Sequence, residues 1–398
     1  MFAVLSAARK RLSMRRFARV TSTIFGMAAL TACGPVSLGG VSGGNSGPRI
    51  NTDTPVPVAL LIPKSDSGAG VVAQSLENAA RLAIADLDGV KIDLRVYDTA
   101  GSPARAGALA QQAVDEGAKI ILGPLFAEAA VAAGNAVADD GVNVLAFSNN
   151  PAIAGGNVFV LGPTFRNTAN RLMSFAKQQG KNSVAVVYPN NVEGQFGKAA
   201  IEAAAGANGI RVAGSESFEF SQQGVIAAMP RIANAAAGAD TVFLTSGSAG
   251  ALPLLVQLLP ENGISPEAKQ YIGLARWDVP PQTLELPGVQ GGWFTLPDQT
   301  MTANFNARYQ GAYGKPPHQL GGLAFDGVAA IGALVSQGKS DALTTGALTQ
   351  GAGFQGVGGV FRLRADGTNE RALAVATVRD KKVVILDPAP RRFGGAGF

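Results

Sequence analysis

The stretch VPVALLIPKSDSGAGVVAQSLENAARLAIADL, residues 56–87, decides the fold. Its opening, Val56–Ile62, is almost continuously apolar, as a strand is when both of its faces are covered. Its close, Val71–Leu87, is rich in Ala and Leu at helical spacing. The same unit then recurs. Ile92–Tyr97, Lys119–Leu122 and Asn143–Phe147 predict buried strands, with helices over Pro103–Glu116 and Phe126–Asp139 between them. Strands of this kind separated by helices are joined by right-handed crossovers, which give a parallel sheet with helices on both faces.

Outward from that unit, Leu161-Gly162-Pro163 forms a seam and the rhythm restarts. Helices are predicted at Thr168–Gln179, Glu193–Ala207, Val225–Ala237 and Leu252–Leu259. Strands are predicted at Ser183–Tyr188, Arg211–Phe218, Thr241–Leu244 and Gln270–Gly273. After Gly292-Trp293-Phe294 the pattern changes to helices at Thr302–Tyr313 and Phe325–Gln337. Antiparallel strands follow within Phe354–Leu386, turning at Asp366-Gly367 and Asp380-Lys381. A helical pair placed after the second α/β unit most economically returns to cover the first. The expected architecture is α/β, with two doubly wound parallel-sheet lobes joined by crossing strands around a central cleft. Residues 55–161 with 303–350 make the first lobe, 162–302 with 351–388 the second, and 389–398 a tail.

Composition narrows the chemistry. A single Cys and a single His exclude an internal disulfide framework and a multi-histidine metal site. The net charge of +5 misleads, because Arg9, Lys10, Arg11, Arg15, Arg16 and Arg19 all lie before a short apolar run. Without them 27 basic residues face 28 acidic ones, so the body has no surplus with which to neutralise nucleic-acid phosphates.

Those basic residues, the apolar run Val20–Leu30 and a small-residue end have the form of an export signal. The run is shorter than the roughly 20 residues that span a bilayer. Leu30-Thr31-Ala32-Cys33 resembles the lipobox of bacterial lipoproteins. That resemblance implies a signal peptide at 1–32, cleavage before Cys33, and lipidation of Cys33. The Gly-, Ser- and Pro-rich stretch 33–54 then reads as a flexible linker on the anchor. Gly34 stands where an Asp would resemble an inner-membrane retention signal, which points the anchor to the outer membrane.

No catalytic constellation emerges. Gly68-Ala69-Gly70-Val71-Val72-Ala73 fits G-x-G-x-x-A, but Pro63–Ser67 separate its first Gly from the strand end, where a dinucleotide fingerprint needs it. The glycines read instead as a loop bringing a ligand to backbone N–H groups at a helix start. Ser174-Phe175-Ala176-Lys177 matches S-x-x-K without its K-T-G or S-D-N partners. His318, in Lys315-Pro316-Pro317-His318, reads as a surface residue. The expectation is binding without catalysis, cofactor or metal.

Open α/β sheets bind ligands beyond the carboxyl ends of their strands. In the first lobe this selects Ser65, Asp66 and Ser67, then Leu125 and Phe126, then Ser148, Asn149 and Asn150. Across the cleft it selects Tyr188, Asn191, Ser246 and Trp277. Their polar groups suit a carboxylate or amide, and the aromatics an apolar tail.

Several pieces, in order, resemble the type I periplasmic-binding-protein family in its leucine-binding branch. They are Val58-Ala59-Leu60-Leu61-Ile62-Pro63, Gln111–Gly117 before Ile120-Ile121-Leu122-Gly123-Pro124, and Val184-Ala185-Val186-Val187-Tyr188 before Gly194-Gln195-Phe196-Gly197. Phe325-Asp326-Gly327-Val328 and Gly356-Val357-Gly358-Gly359-Val360-Phe361 complete the series. The resemblance implies a non-enzymatic, lipid-anchored protein that captures a small amino-acid-like or polar ligand for an ABC importer. Two positions depart from the amino-acid receptors. Phe126-Ala127-Glu128 replaces the hydroxyl residues after Gly-Pro, and Glu193 replaces a Tyr. Both bring the chain nearer to lipoprotein activators of penicillin-binding proteins, which share the fold and use it for docking on a peptidoglycan synthase.

Overall fold

The computed structural model describes residues 47–394. The expectations for residues 1–32, Cys33 and Gly34 lie outside the described residues. Strands β1 (Val56–Ile62), β2 (Ile92–Asp98), β3 (Ile120–Leu122), β4 (Val144–Ala146) and β5 (Val158–Val160) form an all-parallel sheet in the order β2-β1-β3-β4-β5. Its helices are α1 (Gly70–Ala85), α2 (Pro103–Asp115) and α3 (Ala127–Ala136). The continuous apolar run of β1 has a direct cause. Val58, Leu60 and Ile62 pack with Leu76 and Ala80 of α1, while Ala59 and Leu61 pack with Ala110 of α2 and Ala130 of α3. Both faces of the strand are therefore core.

The second lobe repeats this plan. Helices α4 (Phe165–Gln178) and α5 (Val192–Ala207) cover one face of its sheet, and α6 (Gln222–Ala236) and α7 (Leu252–Glu261) the other. Its parallel strands are β6 (Ser183–Pro189), β7 (Arg211–Phe218), β8 (Thr241–Leu244), β9 (Gln270–Gly273) and β10 (Trp293–Leu296). Within β6, Ala185 and Val187 face one side, Val184 and Val186 the other.

Helices α8 (Gln299–Tyr313) and α9 (Gly322–Val335) return to the first lobe. Ala324, Val328 and Ile331 join the β1 core, and Phe305 and Tyr309 pack on Ala79 of α1. The antiparallel region then divides. Strands β11 (Phe354–Gly356), β12 (Gly359–Leu363) and β13 (Asn369–Arg371) form a separate small sheet, whose Phe354, Phe361 and Leu363 pack into the first-lobe core. Strands β14 (Ala374–Arg379) and β15 (Lys382–Asp387) extend the second sheet antiparallel beside β10. That sheet is thus mixed at one edge, not purely parallel. Asp380 and Lys381, with φ of 50° and 61°, supply the left-handed two-residue turn that such a hairpin needs. Among the described residues no helix is long and apolar enough to cross a membrane.

Three segments connect the lobes: 161–164 before α4, 297–298 before α8, and 372–373 before β14. Two arginines hold the first and third of them. Arg371 donates through Nε to the Leu161 carbonyl at 3.0 Å and through Nη1 to Asp326 Oδ2 at 2.7 Å. On the other lobe, Arg171 of α4 donates to the Leu373 carbonyl at 2.7 Å and to Asp387 at 2.8 Å.

Candidate functional site

The carboxyl ends of the first-lobe strands open onto a cavity of about 670 Å³ in which Asp66, Leu125, Phe126, Ser148, Asn149 and Asn150 meet. Ser65 and Ser67 stand exposed beside it. The loop carrying Leu125 depends on Gly123, whose φ is +87° and where a Cβ would lie 2.2 Å from the Leu61 carbonyl oxygen. Phe126 begins α3 with 41% exposure and provides no side-chain cap. Ser148 accepts the Asn150 N–H at 3.1 Å, and Asn150 in turn accepts that of Ala152 at 2.9 Å.

The glycine loop behaves differently from the sequence expectation. Asp66 Oδ1 accepts the N–H groups of Gly68 at 2.9 Å and Ala69 at 2.8 Å, and the Asp66 carbonyl accepts that of Gly70. The chain's own carboxylate thus takes the two N–H groups just ahead of α1, while the helix itself has no side-chain cap.

Asp98, ending β2, accepts the N–H groups of Ser65 at 3.1 Å and Ala100 at 3.0 Å. Burial pushes its carboxyl up, yet these bonds and Arg105 hold it below the ordinary carboxylate range. Its stabilising contribution is therefore present above the ordinary pKa and lost as pH falls through the lower folded-state value. Asp98→Asn is expected to flatten that part of the acid limb of a Tm-against-pH profile. An unchanged limb would remove Asp98 as an anchor of the cleft loop.

The four second-lobe candidates do not line this cavity. Tyr188 is buried, with the Lys198 ammonium 5.7 Å from its ring centre. Asn191 caps α5 by accepting the Gly194 N–H at 2.8 Å. Ser246 is buried with its hydroxyl unpartnered. Trp277 is 0% exposed and stacks on Phe294 at 5.9 Å, deep in the second-lobe core.

A second cavity, of about 600 Å³, adjoins the first through shared Pro163 and Leu320 and lies in front of the three connecting segments. Here the second lobe contributes Thr168, Arg276 and Thr295, and the first contributes Thr302, Asn306, His318 and Gln319. Sequence reasoning missed these residues. Arg276 had a usable signal, since it closely follows the end of β9. His318 is not a free surface residue: its Nδ1 accepts the Leu320 N–H at 3.2 Å and its own N–H donates to Ser75 at 2.9 Å. Asp326 also lines this cavity at 1% exposure. Burial pushes its carboxyl up against the opposing pull of Arg371 and the Val357 N–H, which it accepts at 2.7 Å.

A third, outer groove of about 940 Å³ shares Asn149 and Asn150 with the first cavity. It runs over α4 and α5 past Phe165, Val192 and Phe196.

The model of the periplasmic binding protein family matches residues 55–382. No curated protein matches the sequence. Among solved structures, a putative branched-chain amino acid ABC transporter from Rhodospirillum rubrum is similar with a TM-score of 0.71 and 18% identity, over 84% of this chain and 100% of that one. An ABC transporter substrate-binding protein from Desulfitobacterium hafniense in complex with Leu has a TM-score of 0.60 and 18% identity, over 84% of this chain and 100% of its own. A solute-binding protein of an ABC transporter from R. palustris in complex with benzoate has a TM-score of 0.54 and 17% identity, over 86% and 99%. At these identities the likeness is one of fold.

Proposed function

The chain belongs to the periplasmic binding protein family, and from that premise we propose that it captures a small amino-acid-like or polar solute between its lobes and presents it to an ABC importer. It acts by binding, without catalysis. The observation that carries this reading is the adjoining pair of cavities, one lined by Asp66, Phe126, Ser148 and Asn149 of the first lobe and the other by Thr168, Arg276 and Thr295 of the second, which meet at Pro163 and Leu320. A solute that touches both lobes favours the closed arrangement over the open one. The Leu and benzoate held by two similar proteins support a small carboxylate-bearing solute. A thermal-shift screen of the protein with scattering on each hit tests this. Saturation at 100 times Kd adds about 2.7 kcal/mol, with measurable compaction. A broad panel giving neither shift nor compaction would overturn the reading.

The lipobox-like Leu30–Cys33 supports a lipid anchor on the periplasmic face of the envelope, and Gly34 supports the outer membrane. Cys33→Ser is expected to move the protein from the membrane to the soluble fraction. An acylated peptide recovered from membrane-bound Cys33→Ser protein would refute the anchor.

A second reading, an activator docked on a penicillin-binding protein, is favoured by one observation. The 940 Å³ outer groove exposes Val192 and Phe196, an apolar surface of the kind that takes a protein partner. Stable binding of a purified penicillin-binding protein, together with a silent solute screen, would put this reading in place of the first.

A further inference from the structure

Resting on the reading of the cleft as a solute site, we propose that Arg276 anchors a carboxylate of the solute. The ligand class is then a monocarboxylate with an apolar body and no α-ammonium group, its acid directed to the second lobe.

The first-lobe wall is poorly suited to an anion. Its two helix starts each carry a carboxylate of their own. Asp66 is bonded to the first N–H groups ahead of α1, and Glu128 sits in the first turn of α3. Both oppose a second negative charge there. What remains of that wall is mainly apolar: Val72, Leu125, Phe126, Phe147 and Leu320.

The opposite side offers a cation held in place. Arg276 donates through Nε and Nη2 to Asp278 Oδ1 and Oδ2, at 2.9 and 2.6 Å. This two-point contact fixes the guanidinium plane and leaves Nη1 without a partner among the described residues. Its side chain remains 43% exposed. The other arginine at this cavity, Arg371, is engaged by Leu161 and Asp326. Thr302, on the same cavity, has a buried hydroxyl with no partner. A planar carboxylate suits the free edge of a guanidinium.

An α-ammonium would sit beside Arg276, where like charges repel. The acids nearby cannot take it freely, since Asp278 is bound to Arg276, and Asp326 to Arg371 and the Val357 N–H. Asp66 lines only the other cavity.

Calorimetric titration with 3-phenylpropionate, 3-phenylpropionamide and phenylalanine tests this on the wild-type protein. The variants are Arg276→Gln, Arg276→Lys and, as a control, Arg231→Gln on α6. In the wild type the acid is expected to bind about 10–100-fold more tightly than the amide, the range of a charge-assisted contact. Phenylalanine should bind more weakly than the acid. Arg276→Gln should abolish the preference for acid over amide without changing the melting temperature of the free protein. Arg276→Lys should keep part of it, and Arg231→Gln all of it. Equal binding of acid and amide, retention of the preference in Arg276→Gln, or tighter binding of phenylalanine would each overturn the assignment. In those cases the solute-binding reading stands if any probe binds. If no solute binds at all, both fall together.

Discussion

Asp326→Ala is expected to lower unfolding stability by about 3–5 kcal/mol, the usual effect of removing one partner of a buried ion pair. Asp326 is 1% exposed and accepts both the Arg371 guanidinium and the Val357 N–H, each at 2.7 Å. Its loss leaves a mostly buried cation without its counter-charge and the Val357 N–H without its acceptor at the point where α9, β11 and β13 meet. Urea unfolding measures the effect directly. Combining Asp326→Ala with Arg371→Met should recover much of the loss, because the cation is then absent as well. A single-variant loss below about 1 kcal/mol would mean that the pair is no more than a surface-like contact.

Trp277→Ala is expected to cost about 3–5 kcal/mol as well, through a cavity in the second-lobe core. The indole fills a slot that only glycine permits. A Cβ on Gly273 would lie 2.3 Å from its Nε1, and one on Gly292 2.2 Å from its Cζ3. Trp277→Phe should cost less, because it retains ring volume and removes a buried N–H that has no partner. Solute affinity measured well below the melting temperature should be unchanged in both variants. A large affinity loss with intact stability would return Trp277 to the cleft.

The fate of Trp277 shows where sequence reasoning stops. Beyond the end of β9 the chain leaves strand periodicity, so nothing in Leu274-Ala275-Arg276-Trp277-Asp278 says which side chain turns inward. The aromatic went to the core and its neighbour Arg276 to the cleft. Where periodicity persists, the reading is close. The bounds of β1, β8 and β9 match because each apolar run is covered on both faces or sharply ended; those of the half-exposed edge strand β7 match as well. Strands β5 (Val158–Val160) and β10 (Trp293–Leu296) went unread. Of the first-lobe candidates, Asp66 after β1, Leu125 and Phe126 after β3 and 148–150 after β4 line one cavity, because strand order alone brings those ends together, while Ser65 and Ser67 stay exposed beside it. The residues that α8, α9 and the intervening loop add to the cleft come from a return crossing, which leaves no local mark in the sequence.

The two arginine clamps on the third connecting segment also have a kinetic meaning. Arg371 ties its near end to one lobe and Arg171 holds Leu373 to the other, which leaves Ala372 between them. Any rotation of the lobes there would pass through very few backbone torsions, so the segment is a short, stiff pivot and not a slack tether. If the lobes shut on a solute as proposed, a pivot of this kind would lose little chain entropy, and contact energy with the solute would translate into residence time. Escape would then wait for one concerted opening, and the off-rate would be a property of the pivot as much as of the solute.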